Sequence, residues 1–461
     1  MLGQGTVAVV HFACMLFLAR LLTPTEIGVY AVALATSVLL GILSTSGAAA
    51  YIVRESELPR DKIDTAFTIN AALSIGLASI TALAAIPIGR FVGNAAVGEV
   101  LHWLALRPLL GLLEFRPAAL LQREMNFRLP ALVSIAAAIV NVAVTLIAAI
   151  HGESFFSLAY GTVSGGACSA VMLNLFASRH VSFRTSIAFW RPVLIFGIRM
   201  ITVSGTPMLA QRVSEIIMGR LLGIAAVGLF TRATQISDLL FQNIYGTFTR
   251  VVFARLAKDQ REHGSLTGSF LWGVEVITAV MWPILLSVAV LSAPLIHFLY
   301  GAQWISAALP LSLLMLAQFM ATLFAMNWEL FVIRNETAKQ TRFEVSRAIA
   351  SVGVFTLGCL VSMAAAAAGR IVDSLVGLII YRPHIRRLTS VPEGAIARVY
   401  QRSALMAFAA TLPAIILMIT TGWSVEIGPG PMFASLILGA IIWLAIVVFS
   451  HHPVWRFIRG H

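Results

Sequence analysis

Charge is the scarcest property of this 461-residue chain: Asp, Glu, Lys and Arg together make up 11% of it, against 59% apolar residues. A soluble protein of this size needs far more charge to cover its surface, and a single hydrophobic core does not grow that large. Soluble enzymes and soluble binding modules are thereby excluded. Lysine is rarer still, with Lys62, Lys258 and Lys339 set against 29 arginines. None of the three stands in the Gly-Lys-Ser or Gly-Lys-Thr context that a P-loop requires, so ATP hydrolysis by that route is excluded as well. Cysteine occurs only as Cys14, Cys168 and Cys359, each inside an apolar segment. That spacing offers neither a disulfide framework nor a metal site, and no cofactor is expected. Long polar stretches are also missing. A membrane glycosyl polymerase or ligase needs a sizeable outer loop for acceptors and catalytic groups, which makes that class the weakest alternative and an enzyme unexpected.

What the chain has instead is apolar runs. At about 20 residues per crossing, spans fall near 2–22, 27–53, 65–89, 97–113, 129–150, 155–177, 192–218, 225–249, 267–299, 305–332, 343–362, 365–382, 403–421 and 431–450. These read as an all-α polytopic membrane protein with about fourteen transmembrane helices. The division near 363–369, where an alanine run replaces a loop, leaves twelve or thirteen crossings open. The N-terminus lacks a basic region and a small-residue cleavage site, so it reads as a first span rather than a signal peptide.

The arginines test this division. Connections after even-numbered spans, with the tail, hold 23 of the 32 Lys and Arg; connections after odd-numbered spans hold only Arg20, Arg90, Arg220 and Arg370. By the positive-inside rule both termini are cytoplasmic. The net charge of +12 is then explained by retained loops, and nucleic acid is not an expected partner.

Two parts of the chain echo each other. Ala19-Arg20-Leu21-Leu22-Thr23 with Ile27, Gly28, Val29 and Tyr30 returns 200 residues later as Gly219-Arg220-Leu221-Leu222-Gly223 with Val227, Gly228, Leu229 and Phe230. Six helices separate the copies, so both halves start from the same side and the repeats are parallel. The expected domains are an N-lobe of spans 1 to 6 (1–177), a C-lobe of spans 7 to 12 (178–382), and two further helices with a short basic tail (383–461). Gly161 and Gly165 form a small-residue packing face. Pro87, Pro108, Pro207, Pro283 and Pro294 are positions for kinks.

Ionisable side chains at bilayer depth persist where they face a protein interior or a water-filled cavity. On span 8, Arg232, Gln235, Asp238, Gln242 and Thr249 share a sector about 120° wide at 100° per residue. A cavity wall and a buried network between helices both account for that face. On span 7, Gln211 and Glu215 share a face with Arg212 beside them; Arg212 and Glu215 have the spacing of an internal pair. Arg199, near the cytoplasmic end of the same span, can snorkel to the interface. Glu275 lies within span 9 with no cation close in sequence. Glu344 with Arg347, and Arg370 with Asp373, are spaced as intrahelical pairs. Arg20 and Arg220 read as interfacial anchors. The substrate-binding candidates are therefore Arg232, Arg212, Arg199, Gln235 and Gln242, and the ion-coupling candidates are Asp238, Glu215 and Glu275.

Several pieces together resemble the polysaccharide transporters, including Wzx-type flippases, of the multidrug/oligosaccharidyl-lipid/polysaccharide exporter superfamily. They are Ala19 to Pro24 with Glu26, Gly28 and Tyr30; Asp64-Thr65-Ala66-Phe67-Thr68 with Asn70; Phe196-Gly197; Gly219 to Gly223 with Gly228; and Phe298-Leu299-Tyr300-Gly301 with Trp304 and Ala307. The resemblance implies a V-shaped pair of six-helix lobes around a cationic cavity. It also implies export of a polyprenyl-diphosphate-linked glycan across a bacterial inner membrane, with other polysaccharide assembly proteins as partners. The drive would be a proton or sodium gradient, the membrane potential, or removal of product. A drug or peptidoglycan-precursor exporter of the same superfamily is the alternative.

Overall fold

The computed structural model describes residues 2–41, 47–204 and 206–458; the side chains of 2–9, 12, 198–204, 206–207, 393 and 456–458 fall outside that description. The described residues are helical with no strand among them, and two compact units meet in sequence at Gly228 and Leu229. The first unit contains α1 (Leu2–Leu21), α2 (Pro24–Gly41), α3 (Gly47–Arg54), α4 (Arg60–Val92), α5 (Ala95–Leu104), α6 (Leu106–Arg123), α7 (Arg128–Ile150), α8 (Phe156–Phe176), α9 (Trp190–Ser204) and α10 (Thr206–Leu221). It also holds the first residues of α11 (Ile224–His263). The second unit continues α11 and adds α12 (Thr267–Val290), α13 (Ser292–Tyr300), α14 (Ala308–Ala321), α15 (Asn327–Ile333), α16 (Thr337–Cys359) and α17 (Met363–Thr389). It ends with α18 (Glu393–Thr420), α19 (Pro429–Phe449) and α20 (Pro453–Ile458).

Each of the fourteen apolar segments falls on one helix or on consecutive helices. Among the described residues, ten helical stretches are long and apolar enough to cross a membrane by length and composition, and the chain is a multi-pass membrane protein. Neither α11 nor α16 is among the ten, because each interrupts its apolar run with several charged or amide side chains.

The prolines explain where long spans divide. A proline ring clashes with the carbonyl four residues earlier and brings no N–H of its own. Accordingly α5 ends at Leu104, four residues before Pro108, and α12 ends at Val290, four before Pro294. Pro87 and Pro283 stay inside α4 and α12. The doubtful junction in the alanine run is also resolved. Chain reversal occurs at residues 360–362, and Ser362 Oγ caps α17 by accepting the Ala365 N–H at 3.0 Å. The alanines form the first turns of α17 rather than a loop.

In the first unit α7 and α8 form an antiparallel pair. A Cβ on Gly161 would lie 2.7 Å from the Asn141 carbonyl oxygen, and one on Gly165 2.9 Å from that of Ala137, so the small-residue face packs backbone against backbone. Replacing Gly161 by Leu should separate the pair, at a cost of about 1–3 kcal/mol or more. Size-exclusion of the detergent-solubilised variant checks this; an unchanged monodisperse peak counts against the packing role. The echo has a structural counterpart in the same unit. A Cβ on Gly228 would come within 3.0 Å of the Gly28 backbone nitrogen, so the matched glycines of the two copies lie against each other.

The segment 181–189 is tied along α4. Arg116 donates to Asp64 at 2.7 Å and to the Ser182 carbonyl at 3.2 Å, while Ser186 and Phe189 N–H groups donate to Thr68 and Thr65 at 3.0 and 3.4 Å. Phe183 stands edge-on to Phe67 at 6.0 Å. The Asp64 to Thr68 motif is thus the mooring of that connection. Asp64→Asn leaves the buried Arg116 without its counter-charge and should destabilise the protein by about 1.5–3 kcal/mol. Thermal unfolding in detergent checks this, and an unshifted transition would contradict it.

Candidate substrate site

The polar sector of α11 is borne on a 40-residue helix, about 60 Å long at 1.5 Å per residue. Its exposed strip runs through Gln235, Leu239, Gln242, Asn243 and Thr247, at helical spacings of three and four. Arg232 and Thr249 are buried at the edge of that strip, and Asp238 is half-buried. The strip is therefore less uniformly polar than the sector read from the sequence, because Leu239 shares it. Asn243 donates to the Leu239 carbonyl at 2.6 Å, which holds its amide against the helix.

Arg232 is 4% exposed, and its Nη1 donates to Gln235 Oε1 at 2.9 Å. Its guanidinium lies 5.8 Å from the ring centre of Tyr300 and 5.6 Å from that of Trp304. A buried cation gains from the negative faces of aromatic rings, by about 2 kcal/mol when desolvated. Gly301 makes the arrangement possible. With φ at +95°, it turns the chain between the end of α13 and Trp304 through a region that glycine adopts without strain. Sequence reasoning named Tyr300, Gly301 and Trp304 as a motif but gave them no role; their place beyond the end of α12 at Val290 contains no hint that they fold back to Arg232.

The remaining candidates lie in separate settings. Arg212 donates to both oxygens of Glu215, at 3.1 and 2.9 Å, and Gln211 Nε2 reaches Glu215 at 3.5 Å. The internal pair read from their spacing is formed. Arg199 lies on α9, with its side chain outside the described residues. Glu275 Oε1 is 3.4 Å from Nε2 of His452, a residue of the connection between α19 and α20. The His452 Nδ1 accepts the Val454 N–H at 3.3 Å, which leaves the proton of the neutral ring on Nε2, toward Glu275. Burial pushes the His452 pKa down to about 4, so the ring is neutral at physiological pH. The contact Glu275 makes beyond its own helix is to this histidine, with Trp455 and Val454 of the tail packed beside it on α12. The C-terminal segment is therefore partly a packing element.

One network was read only in halves. On α16, Glu344 accepts from Arg347 at 3.0 Å; Arg347 also reaches Asp373 of α17 at 3.5 Å, and Tyr381 of α17 donates to Glu344 at 2.6 Å. Arg370 donates to Ser351 at 3.0 Å and lies 4.9 Å from the Phe355 ring centre. The signal was available: α16 and α17 are joined by a three-residue reversal, so positions equally distant from it face each other.

The architecture defines a class, a helical multi-pass membrane fold. It matches the solved structure of the lipid II flippase MurJ in an inward closed conformation with a TM-score of 0.80 at 11% identity, covering 98% of this chain and 99% of that one. Among curated relatives, the lipopolysaccharide biosynthesis protein WzxC of Escherichia coli (strain K12) is 24% identical over 313 residues, 65% of this chain and 61% of that protein. The succinoglycan biosynthesis transport protein ExoT of Rhizobium meliloti (strain 1021) is 22% identical over 324 residues, 68% of this chain and 63% of its own length. The matched regions thus span less than two thirds of these two relatives. The profile of the family described as polysaccharide biosynthesis protein matches residues 17–309, more than half of the chain, and the chain belongs to that family.

Proposed function

We propose that this protein moves a lipid-linked oligosaccharide from the cytoplasmic to the outer leaflet of a bacterial inner membrane, by alternating access and without covalent chemistry. The observation that carries the proposal is the α11 strip: exposed amides at Gln235 and Gln242 beside a buried arginine, interrupting the apolar run of a long helix. A polyprenyl diphosphate cannot cross hydrocarbon with its hydration shell. Arginine can replace that shell through charge-assisted hydrogen bonds, which gain strength in a low dielectric. Arg232 takes this role, with Arg212 and Arg199 secondary. The Gln235 and Gln242 amides, each both donor and acceptor, suit the hydroxyl groups of sugars. The lipid tail stays in the bilayer.

Movement of two six-helix repeats against each other carries the head across, with both termini in the cytoplasm. Asp238, Glu215 and Glu275 are the groups proposed to couple a proton or sodium gradient to it. Asp238 stands half-buried on the polar face of α11, Glu215 is paired with Arg212 and Glu275 faces His452. Other polysaccharide assembly proteins would supply and remove the substrate. In cells depleted of the protein, the lipid-linked oligosaccharide should accumulate on the cytoplasmic leaflet while peptidoglycan synthesis continues. Arrest of peptidoglycan synthesis instead favours the second reading, a peptidoglycan-precursor exporter, which the MurJ-like fold supports.

A further inference from the structure

The tenth span, 305–332, is broken without a proline at the break. Helix α14 ends at Ala321, one tight turn covers Thr322 to Phe324, and α15 starts at Asn327. Between them Met326 has φ at +62°, a left-handed conformation that is sterically costly for a residue with a side chain. The stretch Ala302–Ile333 is nevertheless long and apolar enough to cross a membrane. Non-helical backbone at such depth is tolerated where protein or enclosed water satisfies it. Three other helices hold this break. Tyr245 of α11 accepts the Met326 N–H at 2.9 Å, Trp282 of α12 donates to Thr322 Oγ1 at 2.6 Å, and Tyr400 of α18 donates to the Leu323 carbonyl at 2.8 Å.

Just beyond the break stands Glu329, a residue that neither the sequence reading nor the transport reading uses. It is buried, at 9% exposed, and its carboxylate accepts the N–H of its own residue. Among the described residues no arginine, lysine or histidine pairs with it. An ionised carboxylate in that setting is far costlier than the neutral acid. The Tyr245 oxygen takes the Met326 N–H, so its own O–H remains to donate, and Glu329 lies within its electrostatic reach.

The other titratable groups around α15 have partners of their own. Arg334, at its end, donates to the Leu388 carbonyl at 3.0 and 3.2 Å. On α16, Glu344 is held by Arg347 and by Tyr381 of α17. His384 of α17 lies 4.7 Å from the Phe343 ring centre, and Glu275 of α12 faces His452. Helix α12 meets the break with Gly273, where a Cβ would come 3.0 Å from Met326 Sδ.

We propose that Glu329 is a proton-binding site, loaded as the carboxylic acid while the break has the observed shape. It discharges to water when the Met326 hinge rearranges and hydration enters from the Arg334 end, about one helical turn away. What the proton drives rests on the transport reading above; whether it binds does not.

The test follows amide hydrogen exchange of residues 322–330 in the purified full chain, in detergent and without glycan, across a pH series corrected for intrinsic exchange. Opening that releases one proton becomes about tenfold more favourable per pH unit while the closed state keeps that proton. The parent should therefore lose protection as pH rises. Glu329→Gln, a fixed stand-in for the acid, should stay protected without that slope, and Glu329→Asp should restore a slope. Survival of the parental slope in Glu329→Gln would assign the titration to His384, Glu344 or Tyr381 and overturn the proposal. A parent indifferent to pH, or one that answers to sodium at fixed pH instead, would overturn it equally. Failure to flip glycan in liposomes would count against the transport reading and leave these outcomes unaltered.

Discussion

Replacing Arg232 by Gln should abolish glycan export while leaving the protein in the membrane at its normal level. Glutamine keeps an amide that can still meet Gln235, but it carries no charge for a diphosphate. Loss of one charged partner from a desolvated contact costs about 2–5 kcal/mol, so export should drop roughly a hundredfold or more. The fold should tolerate the change because the substitution also removes the desolvation cost of a 4%-exposed cation. The check is surface glycan measured beside the amount of membrane-inserted protein. Normal export in the variant would remove Arg232 from the site, and the Tyr300 and Trp304 contacts would then be purely structural.

The second large effect is expected in the α16 and α17 network. Arg347 serves both Glu344 and Asp373, so Arg347→Met strands two half-buried carboxylates at once. Removing one member of a buried ionic group costs about 3–5 kcal/mol. Thermal unfolding of the solubilised variant should shift down accordingly. Neutralising the stranded acids in the background of Arg347→Met, with Glu344→Gln and Asp373→Asn, should recover most of the loss, since neighbours in one network are not additive. If the single variant unfolds as the parent does, the network contributes nothing to stability. Arg347→Lys should recover only part, because a single ammonium cannot present two diverging donors to acids on different helices.

The sequence was most informative where one physical rule dominates. Hydrophobic run length located every long helix, and the proline rule accounts for the interruptions at Leu104 and Val290. Intrahelical spacing was enough for Arg212 with Glu215 and for Glu344 with Arg347. Contacts between distant segments were not legible. Nothing within a few residues of Arg232 points to Tyr300 and Trp304, and Asp64 carries no local sign that Arg116 will reach it. The polar face of α11 was legible as a sector, but exposure along it depends on the neighbours. That is why Arg232 is buried while Gln235, Leu239 and Gln242 are exposed. The weight placed on Arg232 is sharpened accordingly: it is a cation held by an amide and two rings at the margin of an exposed strip.

The central claim is movement of a lipid-linked oligosaccharide between leaflets, and the most direct measurement is reconstitution of the purified protein into liposomes carrying that lipid with a fluorescent label. Leaflet position is read by a membrane-impermeant quencher or a glycan-cleaving enzyme added outside. With the protein present, label initially inside should become accessible, faster than in empty liposomes and faster than with Arg232→Gln. Label that stays on its original leaflet, under imposed proton, sodium and voltage gradients alike, would contradict the claim.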